Sequence, residues 1–393
     1  MELNLIIVAL YLVGMLAFGW WGKTRAATTD DYLVAGRRLG PMLFTGTMAA
    51  VVLGGASTVG GVGLGYQYGL SGAWLVAAIG IGIVILSVAF APVLSRLKIY
   101  TVSPMLRLRY GRGGASNASS FVMLAYTLML AATSTGAYAS IFVVLFGWDR
   151  WLAILAGGLI VLGYSVLGGM WSITLADMAQ FIVMTIGMFA QNLLPAGIGG
   201  VALAAAVAAM MSTASGAIIA AATVMRTDIL PIFRGERTAS EDGAVDDEVE
   251  TEEDLSSHRG WVLGLGLVVL LLAILVPDVV AALTIAYDII VGGLFVAIVG
   301  GLLWSRGTGP AAMWSMVAGT LGTLGTMGYL EMNAENRFDR VYANEPIYVG
   351  LAASAVVYVL VSLLTPRTDA RVMEEWRRRS RTGAPDREVT PAA

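Results

Sequence analysis

Apolar residues in this chain run on for about twenty positions at a time, the length of a bilayer-crossing helix, with short polar intervals between the runs. Eleven such runs occur, at roughly 3–21, 41–68, 72–96, 118–146, 150–169, 173–190, 195–225, 261–277, 279–304, 309–330 and 346–365. Lipid offers no partner to backbone N–H and C=O groups, so each run is expected to be a helix that satisfies its own. The pattern predicts an all-α polytopic membrane protein. Several runs exceed the thickness of the hydrocarbon core and have to tilt, bend or project from it. The first run, Leu3–Trp21, has no basic stretch before it and is followed by further spans. It is expected to stay as a helix rather than be removed as a leader.

Basic residues orient these spans. With the N-terminus outside, the intervals 22–40, 97–117, 226–260 and 305–308, the tail after 365 and Arg96 at a helix end hold 21 of the 24 cations. Only Arg150, Arg337 and Arg340 stay outside. The chain is therefore expected to be a multi-pass protein of the cell membrane with its C-terminus in the cytoplasm. Residues 1–365 read as one transmembrane domain and 366–393 as a basic cytoplasmic tail. Ten of the 27 acidic residues fall between Glu236 and Asp254, so 226–260 reads as an acidic cytoplasmic loop, too hydrophilic over 235–257 to bury a core. The tail carries Glu374, Glu375 and Arg377–Arg379. A solvated tail is the preferred reading there, over a short helix lying along the lipid headgroups.

Composition narrows the chemistry further. At 57% hydrophobic and 13% charged residues, the membrane is the main solvent. There is no cysteine, and the single histidine, His258, lies in the charged loop. Disulfides, thiolate metal sites and histidine-based clusters are excluded by those facts. Gly-x-Gly patterns sit inside apolar helices rather than after strands, and no phosphate-loop motif occurs, so an enzyme is not expected. The bilayer is the expected partner, with no nucleic acid.

Three features inside the spans stand out. The second span, PMLFTGTMAAVVLGGASTVGGVGLGYQYGL, has glycines at 46, 54, 55, 60, 61, 63 and 65, a poor composition for a helix. Two readings compete: close helix packing, or an interruption near mid-span that frees carbonyls to coordinate a cation. Adjacent hydroxyls at Ser212 and Thr213 lie in the small-residue run Leu194–Thr213, which follows the preceding span with almost no loop. They either bond carbonyls of their own helix or serve a ligand. A hard cation such as Na⁺ suits hydroxyl and carbonyl oxygens. Asp177, followed by Gln180, lies about one turn inside the sixth span and reads equally as interfacial or as part of an ion path. Asp288 lies deeper in the ninth span, with no cation near it in sequence.

Four motifs, in order, resemble the sodium:solute symporter family: DDYLVAGRRLG at 30–40; the glycine-broken span ending GVGLGYQYGLSG; YSVLGGMWSITLADMAQ, Tyr164–Gln180; and LPAGIGG…AAMMSTASG, Leu194–Gly216, followed by TDILP. The resemblance covers nearly the whole chain. It implies a LeuT-like fold of two inverted five-helix repeats with substrate and sodium near mid-membrane. It also implies a Na⁺ site between the first and eighth core helices. There the carbonyls of Ala50, Leu53 and Ala209 and the hydroxyls of Ser212 and Thr213 would be the ligands. Asp177 matches the fifth-helix acid linked to a further cation site or the inner exit route. The implied activity is sodium-coupled symport of a small organic solute, such as proline, another amino acid or pantothenate.

The chain also departs from that pattern. Phe189-Ala190 runs through Gln191-Asn192-Leu193 directly into the eighth core helix, so core helices six and seven are expected to be missing and the second repeat incomplete. Losing an even number of spans preserves orientation, in keeping with the charge asymmetry. A smaller departure is Ala297 at a position where proline is common. The alternative function is a membrane protein that does not transport and binds sodium or a partner. The substrate and the oligomeric state are not set by the sequence.

Overall fold

The computed structural model describes residues 2–26, 28–54, 61–97, 99, 101–190, 199–234, 252–276, 278–334, 340–341 and 343–382. Its helices are α1 (Glu2–Lys23), α2 (Thr29–Val34), α3 (Pro41–Val52), α4 (Gly61–Tyr68), α5 (Trp74–Ile85), α6 (Ala91–Leu97), α7 (Val102–Tyr110), α8 (Gly114–Phe146), α9 (Arg150–Ala190), α10 (Gly199–Thr223), α11 (Leu230–Arg234), α12 (Glu252–Leu275), α13 (Val279–Ile290), α14 (Val296–Leu303), α15 (Gly309–Met332), α16 (Glu345–Leu364) and α17 (Ala370–Thr382). Among the described residues no strand occurs. Among the described residues eight helical stretches are long and apolar enough to cross a membrane. Two compact units make up the chain: Met1–Ala73 with Met123–Tyr287, and Trp74–Val122 with Asp288–Ala393.

In the first unit α10 is the central element. Its Gly, Ala, Ser and Met residues are small or pliable on every side, so neighbours approach from all directions, and most of it is buried. α12 shows the contrasting pattern of a peripheral span. Val262, Leu265, Val269 and Ala273 face inward, while Leu263, Leu267 and Leu271 are exposed and equally apolar. A soluble helix would carry polar residues there; a lipid-facing one need not.

α9 explains how two predicted spans appear as one element. Its 41 residues would extend about 61 Å if straight, against a hydrocarbon core of about 30 Å. The break is Gly169, whose backbone (φ 53, ψ −136) is not helical. Both arms return to the same end of α1. A Cβ on Gly19 would meet Tyr164 from the first arm, and one on Gly22 would meet Ser172 from the second. The two sequence-predicted spans thus meet at a single residue, with no loop between them.

The motif at 30–40 covers that turn. Tyr32 is fully buried; its hydroxyl donates to the carbonyls of Ser165 (3.2 Å) or Val166 (3.3 Å), and its backbone and ring lie against Gly169. Thr28 caps α2 by accepting from the Asp31 N–H at 3.1 Å. Asp31 itself is 5% exposed and pairs with Arg38 at 2.5 Å, with the Trp171 indole N–H at 3.5 Å. Burial works to raise the Asp31 carboxyl, but bonds from Arg38, Trp171 and Thr28 and the Arg38 charge outweigh it, holding it below the ordinary aspartate value. The folded group is thus the stronger acid. Its stabilisation is complete above the ordinary aspartate pKa and is lost as pH falls through the lower folded value. Asp31→Asn is expected to flatten the acid limb of a thermal-midpoint-versus-pH profile below about pH 4. An unchanged acid limb would show that the pair contributes nothing to stability.

Three expectations are corrected here. The acidic loop is shorter than read from composition, because the chain is helical through Arg234 and again from Glu252, while 235–251 lies outside the described residues. His258 is in α12 and not in a loop: it is 2% exposed and lies beside the Tyr32 ring, centroids 6.3 Å apart. The tail likewise forms α17, whose Trp376 is buried in the second unit. Net acidity and charge density hid both helices, because what they pack against is distant in sequence.

The second unit is tied together by Arg109 of α7. Its guanidinium donates to the carbonyls of Gly301 (2.6 Å) and Trp304 (2.8 Å), so a cation closes the C-terminal end of α14. Next to it Tyr110 donates to Ala297 O at 2.7 Å and shares a 2.8 Å bond with Tyr358 of α16. Ala297, in place of a proline, leaves α14 unbroken, and the irregularity lies just before it in a π-helical turn at Val291–Phe295.

Candidate functional site

The glycine-rich second span does stop as a helix. α3 opens on Pro41, whose fixed φ suits the first helical position, and ends at Val52. Leu53 (φ −78, ψ 29) closes it with an N–H to Ala49 O. Gly54 follows; Gly55, Ser57, Thr58 and Gly60 lie outside the described residues, and α4 begins at Gly61. A helix end leaves carbonyls without partners in the helix, and within a membrane each must find one elsewhere.

One of them finds Thr213. The Thr213 hydroxyl of α10 donates to Val51 O at 2.7 Å and lies 3.4 Å from Ala209 O, its own helix's carbonyl one turn back. Gly54 makes this approach possible, since a Cβ there would land on the Thr213 hydroxyl. Ala50 is fully buried, and Leu53 packs on the buried group Met184, Ala205, Ala208 and Ala209. Ala50, Leu53, Ala209 and Thr213 therefore fall within about one turn of a single crossing of α3 and α10. The carbonyl that is actually bonded, Val51, was not among the expected residues. Spacing alone does not say which of three consecutive carbonyls faces the neighbour.

Ser212 faces elsewhere, as a neighbour about 100° round the helix must. Its hydroxyl is buried near the Asp177 carboxyl and makes no hydrogen bond among the described residues. Asp177 lies eight residues beyond Gly169, about 12 Å along the helix, and is fully buried. Gln180, one turn further, donates its amide N–H to the Tyr11 hydroxyl of α1 at 3.0 Å. Tyr164 donates to Met211 O at 3.1 Å, and Ser215 to Ser212 O at 3.0 Å. Among the described residues four buried oxygens are left without partners in this group: both of Asp177, Gln180 Oε1 and Ser212 Oγ.

The two places share a chemistry and differ in charge. At the α3–α10 crossing the oxygens are carbonyl and hydroxyl, a neutral set that fits a hard monovalent cation. Beside Asp177 the set includes a carboxylate, and buried acceptors with no donor are costly. A cation or a proton would remove that cost. Tyr11 and Tyr164 were not singled out as site residues, although a mid-span tyrosine hydroxyl has to bond something. Asp288 belongs to the second unit, where it is 5% exposed with one oxygen unpartnered; it joins neither place.

Comparisons with known proteins place the fold and the family. The sodium:solute symporter family matches residues 32–190 and 188–319, two segments that meet where core helices six and seven are expected to be missing. An osmoregulated proline transporter of Bacillus subtilis is 24% identical over 195 residues, covering 47% of this chain and 39% of its own. The sodium/iodide cotransporter of Homo sapiens is 25% identical over 186 residues, covering 47% and 29%. A sodium-coupled monocarboxylate transporter of Bos taurus is 27% identical over 190 residues, covering 46% and 30%. These alignments span well under half of each relative. The fold is similar to that of a Na⁺-coupled sialic acid symporter solved in a substrate-bound outward-open state, with TM-score 0.69 at 14% identity over 93% of this chain and 99% of that one. With an all-α LeuT-like bundle and a family match running across both candidate places, the chain belongs to the sodium:solute symporter family.

Proposed function

We propose that this protein moves a small organic solute across the cell membrane together with Na⁺, by alternating access. The observation that carries the reading is the Thr213–Val51 bond, which joins α10 to α3 where α3 stops being helical. Na⁺ at that crossing would draw on the carbonyls of Ala50, Val51, Leu53 and Ala209 and the hydroxyl of Thr213. It would hold the two helices in one arrangement, so that the inward sodium gradient sets which side is open. Asp177 with Ser212 and Gln180 is a second cation place or a step on the inner exit route. The N-terminus is taken to lie outside and the C-terminus in the cytoplasm, on the distribution of basic residues. Of the solutes named for the relatives, proline and the monocarboxylates carry a carboxylate group while iodide is a simple anion, so carboxylate-bearing solutes are the first to test.

A second reading has its own support. α5 has no buried residue, and the family match breaks at 188–190; both suit a bundle that lacks two helices. On that reading the chain binds Na⁺ without transporting. Purified protein in proteoliposomes under an inward Na⁺ gradient separates the two. Gradient-driven accumulation of labelled proline or a monocarboxylate supports symport. Radioactive Na⁺ binding with no accumulation of any carboxylate offered supports the second reading. Absence of both would sink the sodium-site assignment.

A further inference from the structure

The second unit carries a cationic surface that the proposed transport does not use. α17 has five arginines and two glutamates, and the glutamate charge is partly consumed: Glu375 pairs with Arg378 at 2.7 Å and with Arg379 at 2.5 Å. Arg371, Arg377 and Arg381 are exposed and in no ion pair among the described residues. The apolar side of the helix is already occupied within the protein. Trp376 is buried, Val372 lies by Gly111, and Met373 Sδ takes a 3.1 Å contact from Arg109. Docked in this way, α17 turns its arginines away from the protein.

Its neighbours add to the charge. Arg112 follows Gly111, so it and Arg371 flank the Gly111–Val372 contact. Arg96, at the end of α6, donates to Ser380 O at 3.3 Å, between Arg379 and Arg381. Cations from three separate segments therefore converge on one docked helix.

The surface also lies at the membrane boundary. Only Thr365–Asp369 separates α17 from α16, and five residues reach at most about 18 Å. α6, which α17 also touches through Arg96, is itself the end of a membrane span. We propose that this face binds the phosphate groups of anionic phospholipids, with Arg371, Arg377 and Arg381 as the principal contacts and Arg96 and Arg112 beside them. Guanidinium groups meet phosphate oxygens through paired hydrogen bonds, and at a headgroup layer the phosphate diester is the abundant anion. Glu374, exposed on the same helix, opposes the binding.

Native mass spectrometry of the full chain, released from mixed micelles of phosphatidylglycerol and phosphatidylcholine, tests this. The wild type is expected to retain phosphatidylglycerol in preference. The combined variant Arg371→Gln, Arg377→Gln, Arg381→Gln should lose that preference by about tenfold or more, and Glu374→Gln should strengthen it. The side chains are exposed, so the variants should stay monodisperse; if the triple variant does not, Glu374→Gln alone carries the comparison. Equal retention of both lipids by the wild type would overturn the proposal. So would a preference unaffected by either variant, or one abolished by millimolar inorganic phosphate, which would indicate a free-anion site instead.

Discussion

Thr213→Val is expected to weaken Na⁺ binding by about ten- to a hundredfold, and Thr213→Ser to restore most of it. Valine keeps the shape and removes one oxygen. A hydrogen bond or ligand contact to a charged group is worth about 1.5–3 kcal/mol, and each 1.4 kcal/mol is about tenfold in affinity. The same change costs the ion-free protein less, because an interhelical hydrogen bond in a membrane averages only about 0.6 kcal/mol. The loss should therefore appear in sodium affinity, measured by isothermal titration or by sodium-dependent thermal stabilisation, and not in expression. Ser212→Ala separates the two places. Its hydroxyl makes no bond to the end of α3, unlike that of Thr213, and lies near Asp177, so it should leave this affinity within about threefold and act only where Asp177→Asn also acts. If Ser212→Ala and Thr213→Val give equal and non-additive losses, the two hydroxyls serve one ion and the division fails.

The sequence made the bundle readable, because apolar run length and glycine placement are local signals. The α9 turn illustrates this: two spans at 150–169 and 173–190 leave room for almost nothing between them, and the structure puts the break at Gly169. The α3 break was readable from its glycines for the same reason. What could not be read was direction. Adjacent hydroxyls look like a pair in sequence, yet a helix separates them by a quarter turn, and only packing decides that Thr213 meets α3 while Ser212 meets Asp177. Tyr11 and Gln180 come from spans 169 positions apart, and no spacing rule connects them. His258 and Trp376 show the opposite failure, for charged surroundings suggested solvent where each is buried against a distant partner.

Gly169→Ala should lower the thermal midpoint of the purified protein by roughly 5 °C or more. Two costs combine. The backbone angles at Gly169 belong to a region that residues with a Cβ rarely enter, at a cost of about 1–3 kcal/mol. A Cβ there would also meet the Tyr32 ring at 2.7 Å and crowd its carbonyl, and overpacking a filled site adds about 1–3 kcal/mol. Tyr32 cannot yield cheaply, since its hydroxyl is held by Ser165 and Val166 and its ring by His258. Gly264→Ala is the matched control: it lies inside α12 with nothing within 4 Å of the added carbon, so alanine should be neutral or stabilising by up to about 1 kcal/mol. Because α9 carries Asp177 on the arm beyond the turn, Gly169→Ala should also disturb sodium binding in whatever protein survives, and Gly264→Ala should not. Midpoints that fall equally for the two variants would mean that the turn at Gly169 does not set the path of α9.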